Sequence, residues 1–103
     1  MKEINISDQA RYDLEEIFDF YLLKKPSVAA RIHDSIIDEA ERLRDWPEIG
    51  QFEKMLANYK LKFPFRSLLT RDGLFKIIYF IDGDIITISR IWCCRKNPKD
   101  FKL

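Results

Sequence analysis

The densest hydrophobic pattern of the chain lies between Leu74 and Trp92. Leu-Phe-Lys-Ile-Ile-Tyr-Phe-Ile runs into Asp82-Gly83, and Asp-Ile-Ile-Thr-Ile-Ser-Arg-Ile-Trp follows. β-Branched and aromatic residues fill both arms, and Asp-Gly accepts positive φ at both central positions of a type I′ turn. The pattern predicts two antiparallel strands, about 74–81 and 84–92, with Ile81 opposite Asp84 and Tyr79 opposite Ile86. One face then carries Phe75, Ile77, Tyr79, Ile86, Ile88 and, at its far end, Arg90. It is the more apolar face and the predicted core side. The other carries Lys76, Ile78, Phe80, Ile85, Thr87 and Ser89, a mixed row that reads as a half-open surface.

Upstream the period changes. Residues 2–6 alternate polar and apolar as a short strand does. Ser7-Asp8 offers oxygens to the free amides of a helix start. Ala10, Leu14, Ile17, Phe18, Tyr21 and Leu22 then recur at helical spacing, with Asp13, Glu15, Glu16 and Asp19 expected mostly on the opposite side. Lys24-Lys25 suits a helix C-terminus, Pro26 stops the pattern, and Ser27 is the predicted cap of the next helix. That helix is expected to reach about Asp45, with Ala29, Ile32, Ile36, Ile37, Ala40 and Leu43 as its stripe. The short link implies two antiparallel helices.

Trp46-Pro47-Glu48-Ile49-Gly50 breaks the helix. Residues 51–58 show no clear period. Tyr59-Lys60-Leu61-Lys62-Phe63 alternates as a strand would, until Pro64 interrupts it at an edge or bulge. Phe65–Leu69 resumes as a strand, and Arg71-Asp72-Gly73 turns into the main hairpin. The order is β-α-α-β-β-β, with room for one further short strand. The expected fold is a single α+β domain over residues 1–103: an N-terminal strand and a helical hairpin packed on a mostly antiparallel sheet of three to four strands.

Composition adds limits. The 103 residues are 47% hydrophobic, enough for one core. No apolar run reaches the roughly 18–20 residues of a membrane span, and nothing at the start resembles a signal peptide, so the chain reads as cytoplasmic. The adjacent Cys93 and Cys94 form no disulfide framework, and one His without CxxC or HxxxH spacing predicts no metal site and no cofactor. The overall charge of +1 hides an asymmetry, since residues 1–50 sum to −5 and residues 51–103 to +6. A basic back half suits an anionic partner.

In this order and spacing, the motifs resemble the RelE/ParE superfamily of bacterial toxin–antitoxin toxins. Ile6-Ser7 with Ala10, Asp13-Leu14 and Ile17 resembles the family's first strand and helix start. Pro47-Glu48-Ile49-Gly50 resembles its "P-x-x-G", and Arg66 sits where the family often has an Arg in a strand. Phe75-Lys76-Ile77-Ile78-Tyr79 resembles "Y-R-I-x-Y". Ile88-Ser89-Arg90-Ile91 with Arg95-Lys96-Asn97-Pro98 resembles "I-x-R-V…R-x-N/D-P". The resemblance spans nearly the whole chain and implies a toxin held by a cognate antitoxin. It implies one of two activities: poisoning of DNA gyrase, as ParE-like members do, or cleavage of mRNA in the ribosomal A site, as RelE-like members do. A third reading is a degenerate member that only binds its antitoxin.

A metal-independent ribonuclease must activate the ribose hydroxyl, stabilise the phosphorane and protonate the leaving oxygen. By resemblance, Lys76 and Arg95 are the candidate catalytic cations. Lys60, Lys62, Arg66, Arg90 and Lys96 are candidate target or phosphate contacts. The family often has a His where Cys93 stands, and a tail Tyr where Phe101 is nearest. Neither replacement is an obvious general acid at neutral pH, and this favours the ParE-like branch. Arg66 and Arg90 also read as partners of the acidic helices, and Lys60, Lys62 and Lys76 as solvated strand lysines. Trp46 and Trp92 read as core or core edge, Tyr12 and Tyr21 as helix packing, His33 as packing or surface, and the cysteines as small half-buried residues.

Overall fold

The computed structural model describes residues 2–56 and 60–103. β1 (Glu3–Ile6) leads into α1 (Asp8–Lys24) and α2 (Pro26–Glu41), which a 3-10 turn, Arg42–Arg44, extends. β2 (Gln51–Phe52), a second 3-10 turn over Lys54–Leu56, β3 (Arg66–Leu69), β4 (Phe75–Asp82) and β5 (Ile85–Cys93) follow. The sheet has five strands in the order β1-β5-β4-β3-β2. All pairs are antiparallel except β1 with β5. The α+β architecture is the expected one, with one strand more than anticipated and a parallel edge.

Ser7 caps α1 as predicted, its Oγ accepting the Ala10 amide at 3.1 Å. The second start differs from expectation. Pro26 occupies the first turn of α2 itself, where its missing N–H costs nothing, and Lys25 rather than Ser27 is the capping position, without a side-chain bond. The two helices lay Ala10, Leu14, Ile32, Ile36, Ala40 and Leu43 on Phe75, Ile77, Tyr79, Ile86, Ile88 and Ile91. Ile77, Tyr79 and Ile86 are wholly buried. Full burial of such side chains contributes about 1.5–3 kcal/mol each.

The hairpin register is shifted from the sequence reading. Asp82 pairs with Ile85, Ile81 with Ile86 and Tyr79 with Ile88, so the two-residue loop is Gly83-Asp84. Gly83 has φ +59° and Asp84 has no positive φ, so glycine takes the first central position, as a type II′ turn requires. A bulge at Ile78/Tyr79 leaves Ser89 unpaired between Ile88, opposite Tyr79, and Arg90, opposite Ile78. The extra residue puts Ile91 rather than Arg90 on the core face.

The second face is also less open than its mixed pattern suggested. Ile78 is fully buried with Leu56, Trp92 and Phe101 in a second cluster, and Met55 and Phe65 pack against it. Phe63 stacks on Phe80 with centroids 4.8 Å apart. The alternation at 59–63 therefore does not mark a strand. Lys60–Phe63 is irregular, its aromatic ring laid over the sheet, and Tyr59 lies outside the described residues. Trp92 is core, as expected. Trp46, Tyr12 and Leu22 are exposed, against the packing roles read for them. Tyr21 is half-buried against the main core. His33 meets Phe18 edge to face at 5.9 Å.

Candidate functional site

Two regions gather the charged chemistry. The first lies on the outer face of the sheet, where Lys76 of β4 points away from the helices. Its ammonium lies 3.2 and 3.3 Å from the two carboxylate oxygens of Glu53. The Glu53 side chain is 1% exposed and that of Lys76 31%. Glu53 also accepts the Met55 amide at 3.1 Å and a bond from Ser67. Burial alone would raise the pKa of this carboxyl. The bonds from Ser67, the Met55 amide and Lys76 outweigh burial and hold it below the ordinary value. Stability from a depressed carboxyl is present above its unfolded pKa and drains away as pH falls through the lower folded one. Thermal unfolding followed downward from pH 6 should therefore show an acid limb that Glu53→Gln flattens. An unchanged limb would mean that Glu53 does not report on folding.

The second region is a cleft of about 320 Å³ between α1 and β5, with Ile17, Phe20, Tyr21, Phe75, Ile91 and Cys93 among its walls. Beyond Ile88, β5 has lost its β1 neighbour, because the chain turns into α1 at Ser7. Asp13 takes the place of a strand there. Its carboxylate accepts the Ile91 amide at 3.0 Å and receives Arg90 through Nε at 2.8 Å and Nη2 at 3.0 Å. Arg90 also donates to the Lys102 carbonyl, tying the C-terminal tail to the same point. Arg95 and Lys96 stand with Glu16 among the cleft's polar lining, and the Lys96 ammonium lies 5.6 Å from the Trp92 ring centroid.

The seven cations singled out by sequence thus have different roles. Lys76 is paired with Glu53, and Arg90 with Asp13. Arg66 donates to the Gly50 and Glu48 carbonyls at 2.8 and 3.3 Å, its guanidinium 4.2 Å from the Phe52 ring centroid. Lys60, Lys62, Arg95 and Lys96 are exposed. They fall into two groups, Lys60 and Lys62 on the irregular segment and Arg95 and Lys96 by the cleft. The structure does not bring the seven together around one point. Phe101, nearest the expected tail Tyr, is 5% exposed and plugs the outer face edge to face with Trp92. Burial pushes the Cys94 thiol up, which keeps it protonated at neutral pH.

Sequence reasoning missed two carboxylates and the cleft. Asp13 was assigned to the polar side of α1, yet it is 8% exposed. Its spacing from Ala10 and Ile17, three and four residues, places it on the buried stripe, and that was the available signal. Glu53 sits in a stretch without periodicity and gave none.

No curated protein matches this chain in sequence. A solved structure described as the chromosomal ParDE toxin–antitoxin system from P. aeruginosa shares its fold. The TM-score is 0.74 at 21% identity, over 90% of this chain and 96% of that one. The family described as ParE toxin of type II toxin–antitoxin system, parDE, matches residues 4–98. The α+β frame, the motif order and this match over nearly the whole length agree, and the chain belongs to the ParE toxin family of type II toxin–antitoxin systems.

Proposed function

We propose that this protein arrests growth in the bacterial cytoplasm by binding and poisoning DNA gyrase, with no bond-making chemistry of its own. The observation that carries this reading is the fate of Lys76. A nuclease would need that cation free for a scissile phosphate, and here it is matched to a buried carboxylate. Arg90 is likewise matched to Asp13. A toxin that acts by docking needs neither cation at its surface.

The antitoxin partner fits the α1–β5 cleft in this reading. Its floor is apolar, and Arg95 and Lys96 offer charge to an acidic segment entering beside Tyr21 and Phe20. The basic back half of the chain favours the same partner chemistry.

The test adds purified toxin to gyrase and relaxed plasmid, and scores supercoiling and trapped cleavage complexes. Accumulation of those complexes supports the reading. In parallel, Lys76→Ala is expected to leave growth arrest intact in cells where the variant still folds. Loss of arrest together with loss of new mRNA 5′ ends in the A-site codon would replace gyrase poisoning by ribosome-dependent cleavage.

A further inference from the structure

The loop between the 3-10 turn after α2 and edge strand β2 presents three large apolar side chains to solvent. Trp46 is 65% exposed, Ile49 40% and Phe52 61%. Scattered exposed apolar residues are ordinary; a set of aromatic tips on a rigid mount is not. The mount is built from the core. The Tyr79 hydroxyl donates to the Pro47 carbonyl at 2.7 Å and accepts the Gly50 amide at 3.0 Å. The Arg66 guanidinium holds the Gly50 and Glu48 carbonyls from the other side, with the Phe52 ring laid on it. The Trp46 amide closes on the Arg42 carbonyl and the Ile49 amide on the Trp46 carbonyl. This bonding orders a loop whose own large side chains gain little burial from being ordered. What it achieves is pre-organisation, which cuts the entropy lost when the tips enter a partner's pocket.

Charge says what kind of partner. Asp45 and Glu48 rim the hollow beside Trp46, Pro47 and Ile49. Both are exposed, and neither makes an ion pair among the described residues. The one cation in the mount, Arg66, is turned inward to carbonyls. A second copy docked symmetrically would set these carboxylates against each other. An acidic antitoxin segment suits the lysine and arginine of the α1–β5 cleft instead. A basic protein surface with an apolar pocket is the complement. Enzymes that handle DNA carry such surfaces, because they neutralise phosphates with Lys and Arg.

We infer that Trp46, Ile49 and Phe52, rimmed by Asp45 and Glu48, form the prong by which this toxin docks on a basic, DNA-handling target protein. The inference rests on the reading of the protein as a docking toxin, and it names the surface that reading leaves open.

Two variants test it, Trp46→Ala/Phe52→Ala and Asp45→Lys/Glu48→Lys. All four side chains are exposed, so thermal unfolding should match the parent. Each is assayed for growth arrest, for gyrase inhibition in vitro, and for binding to the antitoxin encoded beside it. The expected result is that potency in arrest and in gyrase inhibition falls about tenfold or more for both, with antitoxin binding unchanged. If the parent never inhibits gyrase but both variants lose arrest, the gyrase reading fails and the prong stands. If both variants arrest growth like the parent, the prong is wrong whatever the target. Loss of antitoxin binding in either variant would also overturn it, by giving the surface to the antitoxin.

Discussion

Asp13→Ala should lower the unfolding free energy by about 3–5 kcal/mol, read as a fall in the urea midpoint with little change of slope. The Arg90 side chain is 13% exposed and that of Asp13 8%. Removing the carboxylate leaves a guanidinium in a poorly solvated place without its anion. It also orphans the Ile91 amide, which has no strand beside it there. The tail loses a tie as well, if Arg90 swings out to water and abandons the Lys102 carbonyl. Two controls separate these effects. Asp13→Asn keeps an acceptor for Ile91 and should cost less. Asp13→Leu/Arg90→Met replaces the pair by apolar volume and should recover much of the loss, because desolvating both charges offsets most of their attraction. A loss under about 1 kcal/mol for Asp13→Ala would mean that water screens the pair as it does an exposed one.

The second large effect is expected at Gly50, where space rather than backbone conformation is the constraint. A Cβ there would lie 2.6 Å from the Tyr79 hydroxyl, 2.7 Å from the Ser67 carbonyl and 2.9 Å from Tyr79 Cε1. Tyr79 is fully buried and cannot retreat, and the Ser67 carbonyl belongs to β3. Gly50→Ala should therefore cost about 2–3 kcal/mol, as over-packing does at the upper end of its usual range. Tyr79→Phe should cost about 1–3 kcal/mol by leaving the Pro47 carbonyl and Gly50 amide without their partner. The double variant should lose less than the two losses added, because the hydroxyl that clashes is also the one that bonds. Full additivity in urea titrations would show that the loop moves away freely and is not held by Tyr79. Both single variants displace the mount of Trp46, Ile49 and Phe52, so growth arrest should weaken along with stability.

The helical hairpin and the β4–β5 hairpin were legible because their signals are local. Ala10, Leu14 and Ile17, or Ile32, Ile36 and Ala40, fall on one stripe by helix geometry alone. Phe75, Ile77 and Tyr79 share one face because strand side chains alternate. The family resemblance was legible for a related reason, since its motifs are short and their order follows the chain. The hairpin register was not, although Asp82-Gly83 looked decisive. Gly83 satisfies a type II′ turn as readily as a type I′ turn, and the choice between them slides the strands past one another. The bulged Ser89 reads as one more polar strand residue until β4 is set beside it.

The candidate site divides the same way. Composition and motif placed Lys76, Arg90, Arg66, Arg95 and Lys96 among the residues worth attention, and local chemistry marked Cys93 and Phe101 as poor stand-ins for a proton donor. Whether each cation is available to a ligand is a different kind of fact. Asp13 and Arg90 are 77 residues apart, and Glu53 and Lys76 are 23 apart. Nothing in either neighbourhood of the chain names its partner, because an ion pair is set by where two elements pack and how much water remains between them. The exposure of Trp46 has the same origin. An aromatic residue after a helix belongs in the core by its chemistry, and it faces solvent here because Tyr79 and Arg66 hold the loop by its backbone and leave the side chain outside.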